Sequence, residues 1–532
     1  MLPKSVFTAG GKPFFPIGAQ AHNSSGYSME ELENLWRACA LMEVNSCAIA
    51  VSWERFEPSE GFFDTLLVEE IVKACRERDL KLILLWFGTW KNGHMKYVPQ
   101  WVKRDTARFR RVVTHDGYEI GNLSSFCRAT LEADKRAFCR LMETVRDCDP
   151  AMETVLAVQV QNELGIVGRA VRDFGPEAQR LYEAPVPAEV VEGLKSASPA
   201  EDAVLAWKEC GTKEAGSWFD LFGRYGDEAL QAYSMARFVD EIAAAGKEIH
   251  PIPAYTNVWL DKQGMDIPGT GYPSGGPVSK NLFFWKTFAP HLDMICPDMY
   301  QQSRRDYHEH IRRYFRPDNP LYIPETGVGI PSALHLFPAI AEYGLTGVQF
   351  FGAESVIGPD GGLKPEALPM KEDFQCLSAV WPLILRERGT GNIQAVEEEE
   401  FSSEQRLFFD GVRVLIRFGP FARGGDYRHR GSGEPKRGRG LVIRTGEREF
   451  ILCGAGFSAA FRSNPPLSCP RVPQQDFQME YFMNYLTVEE GYVDETCSWN
   501  ALRIRNGDDT DFGVYVFPDN GAVRVVLDSI DL

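Results

Sequence analysis

Eight short apolar runs recur through the first 390 residues, separated by stretches whose apolar residues repeat at helical spacing. They are Phe15 to Gln20, Asn45 to Ser52, Lys81 to Trp86, Val155 to Gln161, Ile249 to Tyr255, Met294 to Tyr300, Leu321 to Pro324 and Gly347 to Phe351. This alternation is the signature of βα units wound around a parallel sheet. Eight such units favour an α/β fold closed as a (β/α)8 TIM barrel.

The helices between the runs carry their own signals. Ser28 followed by Glu31 makes a capping box, and Leu32, Leu35, Trp36 and Cys39 then fall on one face. Asp64 is expected to accept from the free N–H groups of a second helix, whose buried stripe is Val68, Ile71, Val72 and Cys75. Two stretches after strands, Phe87 to about Ala129 and Leu164 to about Gly226, are far longer than a βα loop needs. As insertions after strands three and four they would wall a pocket on the face where barrel active sites sit. Their aromatics, Trp90, Trp101, Tyr182, Trp207 and Trp218, are candidates to stack on a sugar face.

A chain of 532 residues exceeds the size at which a single core stops growing, so a second domain is expected. Composition changes after the helix containing Phe374 to Leu385 and the acidic run Glu397 to Glu400. From Phe401 onward come short runs such as Val412 to Phe418, Leu441 to Arg444, Glu449 to Leu452 and Ala522 to Leu527, set off by Gly, Pro and Asp. We therefore divide the chain into a catalytic barrel over 1–390 and an all-β sandwich or jelly-roll domain over 391–532. The Gly- and Arg-rich stretch Arg423 to Arg444 reads as a solvated hairpin loop.

Charge and cysteine usage narrow the partners. Lys and Arg number 57 against 74 Asp and Glu, a net charge of −17, which disfavours nucleic acid and anionic membrane surfaces. The N-terminus has no apolar signal region and no stretch is long enough to span a bilayer, so a cytoplasmic chain with no membrane partner is expected. The 12 Cys are scattered without a C-x-x-C pair, and the 9 His show no ligand spacing, so no metal and no cofactor are expected. A homo-oligomer is compatible with all of this.

Two strand ends carry chemistry. Val155 to Gln161 runs straight into Asn162 and Glu163, and Leu321 to Pro324 ends in Glu325 and Gly327. As strands four and seven of a barrel, these place two glutamates at opposite sides of the mouth. Glycosidic bond cleavage needs one carboxylic acid to protonate the leaving oxygen and one carboxylate to meet the oxocarbenium-like centre. Glu163 and Glu325 are the catalytic candidates.

This pattern resembles clan A of the retaining glycoside hydrolases. The segment Val51 Ser52 Trp53 Glu54 Arg55 Phe56 Glu57 Pro58 Ser59 Glu60 Gly61 Phe62 Phe63 Asp64 resembles the motif after strand two in the β-galactosidases of glycoside hydrolase families 35 and 42. The resemblance implies Glu163 as acid/base, Glu325 as nucleophile, Asn162 on the sugar 2-hydroxyl and Tyr300 as the phenol that holds the nucleophile. His22, Asn23, Glu57 and Asn257 become further candidates for sugar hydroxyls, with Trp90 as a stacking platform. The chain departs from the family 35 pattern after strand three, where Leu85 Trp86 Phe87 Gly88 Thr89 Trp90 Lys91 Asn92 Gly93 lacks the Ala-Glu-Trp motif that grips galactose. Strand eight, ending Gln349 Phe350 Phe351 Gly352 Ala353 Glu354, lacks the clan's floor tryptophan.

The expected activity is thus a retaining, exo-acting β-glycosidase on terminal β-linked sugars of an oligosaccharide or glycoside. A transglycosylase on the same site and a noncatalytic carbohydrate-binding barrel are the alternatives. An aldolase or isomerase on this fold would show a strand-end lysine or a metal-ligand cluster, and neither is evident in the sequence.

Overall fold

The computed structural model describes residues 6–261, 267–400, 402–419, 422, 436–463, 485–510 and 513–528. Seven of the eight runs contribute strands to one parallel sheet: β1 (Ile17–Gln20), β2 (Ser46–Ser52), β3 (Lys81–Lys91), β4 (Val155–Asn162), β5 (Ala254–Val258), β6 (Met294–Pro297) and β7 (Val348–Phe351). Their order is β6-β5-β4-β3-β2-β1-β7. The fifth strand lies later than expected. The helix Gly226–Ile249 takes the start of the apolar run, and Pro251 and Pro253 have no N–H to give a ladder, so pairing begins at Ala254.

The remaining run, Leu321 to Pro324, forms no ladder of its own, yet it lies between the two edge strands. Gln349 N–H donates to Ile323 O at 2.9 Å on the β7 side, and Met299 N–H donates to Glu325 O at 2.9 Å just beyond β6. Pro324 removes a donor from the middle of the segment. Alternate residues of the sheet serve two cores. Ala48, Ala50, Ile83, Leu85, Ala157, Tyr255, Met294 and Tyr322 cluster on one face, and Ile49, Val51, Leu82, Leu84, Val158 and Val160 pack with the helices on the other.

The helical stripes hold, but the expected caps do not. The stripe Leu32, Leu35, Trp36 and Cys39 is buried, but the expected capping box does not form: Glu31 N–H donates to Ser28 Oγ at 3.2 Å in a turn ahead of the helix Glu33–Met42, whose N-cap is Leu32. Asp64 does not cap the next helix, Leu66–Glu77; its carboxylate is taken by Arg55 at 2.5 Å, and an ion pair outcompetes the helix N–H groups. The first insertion forms the helix Gln100–Arg104 and a hairpin of Arg111–Val113 with Glu119–Leu123. The second forms four short helices between Pro176 and Phe222 around Val190, Leu194, Val204, Trp218 and Phe222.

The C-terminal strands are β8 (Ile393–Glu397), β9 (Glu404–Phe409), β10 (Val412–Phe418), β11 (Arg439–Gly446), β12 (Glu449–Ala455), β13 (Phe457–Ser463), β14 (Tyr485–Val493), β15 (Trp499–Arg505), β16 (Val514–Val516) and β17 (Ala522–Leu527). They make two antiparallel sheets, β8-β11-β12-β17-β14-β15 and β9-β10-β13-β16, which share a core of Val414, Ile416, Phe418, Val442, Phe450 and Phe461. The sheet begins at Ile393, ahead of most of the acidic run, and Glu397, which ends β8, is ion-paired with Arg304 at 2.8 Å. The Arg-rich stretch is only partly a loop question: residues 423–435 lie outside the described residues, and from Arg439 it is strand β11. Arg439 is buried and ion-paired with Asp373 of the helix Leu368–Glu387 at 2.6 Å, which ties that helix to the β-sheets.

Candidate active site

β4 is buried along its whole length, and its end is where the backbone departs from strand geometry. Gln161 and Glu163 adopt φ of 65° and 41°, a left-handed conformation that costs a non-glycine residue free energy. Several bonds hold it. Gln161 Oε1 accepts from Trp90 N–H at 3.0 Å and its Nε2 donates to buried Asp134 at 2.7 Å. Gly93 N–H donates to Glu163 O at 3.0 Å, and Glu163 N–H donates to Asn257 Oδ1 at 2.9 Å. The surrounding structure thus fixes the direction in which Glu163 leaves the sheet.

Glu325 stands across from it. Gln20 Nε2 donates to its Oε1 at 2.8 Å, Asn257 Nδ2 approaches the same oxygen at 3.5 Å, and Tyr300 OH donates to Oε2 at 3.0 Å. Donors alone converge on this side chain, so both of its oxygens serve as acceptors. One carboxylate oxygen each from Glu163, Glu325 and Asp298 lie within 4.8 Å of one another. Burial first, and then the charge of Glu325, push the Glu163 carboxyl up to about 7, against the pull of Lys91. Burial and the neighbouring Glu325 also drive the Tyr300 phenol far up, so it remains a donor at neutral pH.

Of the residues singled out in the sequence, the fold brings Glu163, Glu325, Asn162, Asn257 and Tyr300 together. Asn162 is fully buried, and both polar atoms of its side chain lack a partner among the described residues. Unpaired buried amides are rare in proteins, and a polyhydroxylated ligand would satisfy this one. His22 donates its N–H to Glu354 at 3.0 Å with its ring on Ser355 Oγ at 2.7 Å, in a cleft shared with Asn23, Tyr27 and Glu354.

Two expectations are corrected. Trp90 is wholly buried, with Nε1 donating to Leu123 O at 3.2 Å and its ring edge-on to Phe238 at 4.8 Å, so no face is left for a sugar. Glu57 is also wholly buried; Trp53 Nε1 at 2.8 Å, Gly61 N–H at 2.7 Å and Arg136 at 3.1 Å use up its carboxylate. The other insertion aromatics pack inward as well: Trp207 and Trp218 belong to the helical insertion's core, Trp101 packs against the core of the parallel sheet and its helices, and Tyr182 lies under Arg172.

Four residues were missed. β3 continues five residues past Trp86 and ends in Lys91, a strand-end lysine whose Nζ lies 3.9 Å from Glu163 Oε2, and Asn92 beside it bonds the same oxygen. The signal was the run of apolar residues through Trp90, which a buried strand tolerates. Gln20, ending β1, and Asp298, following β6, show no more in sequence than polar residues after apolar runs. The three carboxyls are the one grouping among the described residues that could face a cation, but Lys91 already stands beside them, and Gln20, Asn92, Asn257 and Tyr300 donate to them.

No curated protein matches the chain. The family described as a domain of unknown function, DUF5597, matches residues 370–517, which takes in most of the helix Leu368–Glu387 and the strands β8 to β16 but not β17. Among solved structures, a β-galactosidase from Bacillus circulans sp. alkalophilus aligns at 15% identity and a TM-score of 0.48, over 69% of this chain and 56% of that one. The chain therefore spans little more than half the length of that protein. The catalytic domain of a β-amylase from Paenibacillus polymyxa aligns at 11% identity and 0.48, over 68% of this chain and 98% of that domain. An exo-β-1,4-mannosidase from Opitutaceae bacterium strain TAV5 aligns at 15% identity and 0.42, over 70% and 62%. No helix among the described residues is long and apolar enough to cross a membrane.

Proposed function

We propose that the chain is a retaining β-glycosidase, with the segment Leu321 to Thr326 as the eighth stave of a closed barrel. The observation that carries this reading is the close facing of two unlike carboxyls, Glu163 raised to about 7 and Glu325 held by donors only. A retaining pair stands about 5 to 5.5 Å apart, whereas inversion needs roughly 6.5 to 9.5 Å to admit a water; one oxygen from each carboxyl within 4.8 Å is compatible with the first.

In the first half-reaction a Glu325 oxygen attacks the anomeric carbon as the glycosidic bond breaks, and the proton of Glu163 passes to the leaving oxygen. In the second, Glu163 takes a proton from water, the water oxygen attacks the anomeric carbon, and the ester to Glu325 breaks. Asn162 meets the sugar 2-hydroxyl, a contact that strengthens in the transition state. Asn257 holds both partners, accepting from the Glu163 backbone and donating toward Glu325. The segment that lacks the galactose-gripping glutamate places Lys91 and Asn92 on Glu163 instead, so sugar choice lies elsewhere in the pocket. Lys91 Nζ lies against Glu163 Oε2 at 3.9 Å rather than standing alone in the pocket, which disfavours a Schiff-base aldolase.

A panel of aryl β-glycosides and natural disaccharides, with NMR of the first-formed anomer, tests the proposal. Release of the β-anomer supports it. Release of the α-anomer, or no turnover of any glycoside, overturns it.

A further inference from the structure

Three carboxyls meet in this site, and the chemistry above uses two. Asp298 directly follows β6 and is 4% exposed. Asn257 Nδ2 donates to its Oδ2 at 2.9 Å, while Oδ1, also enclosed, receives no donor among the described residues. A buried carboxylate oxygen without a donor is costly, but a proton turns that carboxyl into a donor itself. Acceptors are at hand, since one oxygen each from Glu163 and Glu325 lies within 4.8 Å of an Asp298 oxygen.

Charge points the same way. The ionisable groups around Asp298 are Glu163 and Lys91 from the ends of β4 and β3, and Glu325 and Tyr300 on its other side. Beneath it lie Tyr255, Tyr322, Tyr314 and Cys296, all driven up by burial and hence neutral. Three ionised carboxylates would leave this enclosed space with three negative charges against the one of Lys91. Burial, followed by the charges of Glu325 and Glu163, holds Asp298 well above the carboxylate range.

We propose that Asp298 is a carboxylic acid throughout the cycle and the positioning residue for Glu163, donating its hydrogen bond to Glu163 whenever that carboxyl is ionised. The role of Glu163 here rests on the glycosidase reading. When Glu163 gives its proton to the leaving oxygen, it becomes an anion in an enclosed site, and Asp298 supplies the donor that this anion needs. When Glu163 then takes a proton from the attacking water, the Asp298 proton stays where it was, so the cycle gains and loses none.

The decisive readout is the basic limb of the kcat/KM–pH profile, which follows Glu163. Asp298→Ala removes the donor, so the limb should move up by about one to two pH units. Asp298→Asn keeps an N–H donor and should return the limb most of the way to its native position. An ionised Asp298 would give the opposite sign: both variants would remove a negative charge and lower the limb, and that result, or an unmoved limb in Asp298→Ala, overturns the proposal. Infrared difference spectra in D2O of the native protein against Asp298→Asn read the proton without turnover. A carboxylic C=O band at neutral pD that the variant lacks supports the proposal, and superimposable spectra in that region overturn it. Should no glycoside be hydrolysed, the glycosidase reading fails while the infrared result still decides the state of Asp298.

Discussion

Lys91 Nζ lies 3.9 Å from Oε2 of Glu163, with the two side chains only 6% and 12% exposed. A cation so placed stabilises the ionised form of Glu163, opposing the burial and the Glu325 charge that raise it. Lys91→Met should therefore move the basic limb of kcat/KM upward. At about 4 Å, unit charges interact by roughly 1 kcal/mol in water and 4 kcal/mol at an effective dielectric near 20, so the shift is about one to three pH units. A pH profile of the variant that coincides with the native one would remove Lys91 from the electrostatics of the acid.

Tyr300 OH donates to Glu325 Oε2 at 3.0 Å, and the phenol stays protonated because burial and that carboxylate both raise it. Tyr300→Phe deletes one charge-assisted hydrogen bond, worth about 1.5 to 3 kcal/mol, so kcat should fall by about ten- to a hundredfold. Thermal melting separates this from misfolding, since the ring's packing is kept. A variant with native kcat would show that Gln20 and Asn257 alone orient the nucleophile.

Both glutamates were legible because each ends an apolar run abruptly, and a buried strand that stops on a carboxyl has few bland explanations. The partners of those glutamates were less so. Lys91 and Asn92 were hidden by the length of β3, which continues through Phe87 and Trp90 where sequence pattern alone suggests a loop. Gln20 and Asp298 come from strands on either side of the chain's fold, and only tertiary closeness gives them meaning. The wrong picks failed for one shared reason: Trp90, inside β3, and Glu57 are wholly buried, with their polar atoms spent on Leu123, Trp53, Gly61 and Arg136. Strand five slipped because apolar content spoke louder than Pro251 and Pro253.

Glu325→Gln keeps size and hydrogen-bonding capacity but cannot form a glycosyl ester. It should fold normally and lose about 10⁴-fold or more in kcat on every glycoside. A fully active variant would dismiss Glu325 as nucleophile.

Glu163→Ala separates the two half-reactions. Substrates with poor leaving groups need its proton, whereas activated aryl glycosides depart without it, so rate losses should grow steeply with leaving-group pKa. Azide should restore turnover of the activated substrates by attacking the glycosyl-enzyme from the vacated space, giving a β-glycosyl azide. Equal losses across the leaving-group series, with no azide product, would make Glu163 a rim residue.

The raised Glu163 carboxyl also predicts how stability depends on pH. A carboxyl near 7 in the folded chain and about 4.3 unfolded binds its proton more tightly when folded. That contribution is fully present below about pH 4 and is lost as pH rises through about 7, for a total of roughly 4 kcal/mol at most. Glu163→Gln has no such proton to lose. Lys91 forfeits an ion-pair partner in the variant, which offsets part of the gain at any one pH but leaves the slope untouched. The difference in unfolding free energy, variant minus native, should therefore grow by about 1 to 3 kcal/mol between pH 5 and 8, as measured by urea melts. A difference that stays flat over that range would mean that Glu163 titrates alike in the folded and unfolded chain, and the electrostatic case for it as the acid would go with it.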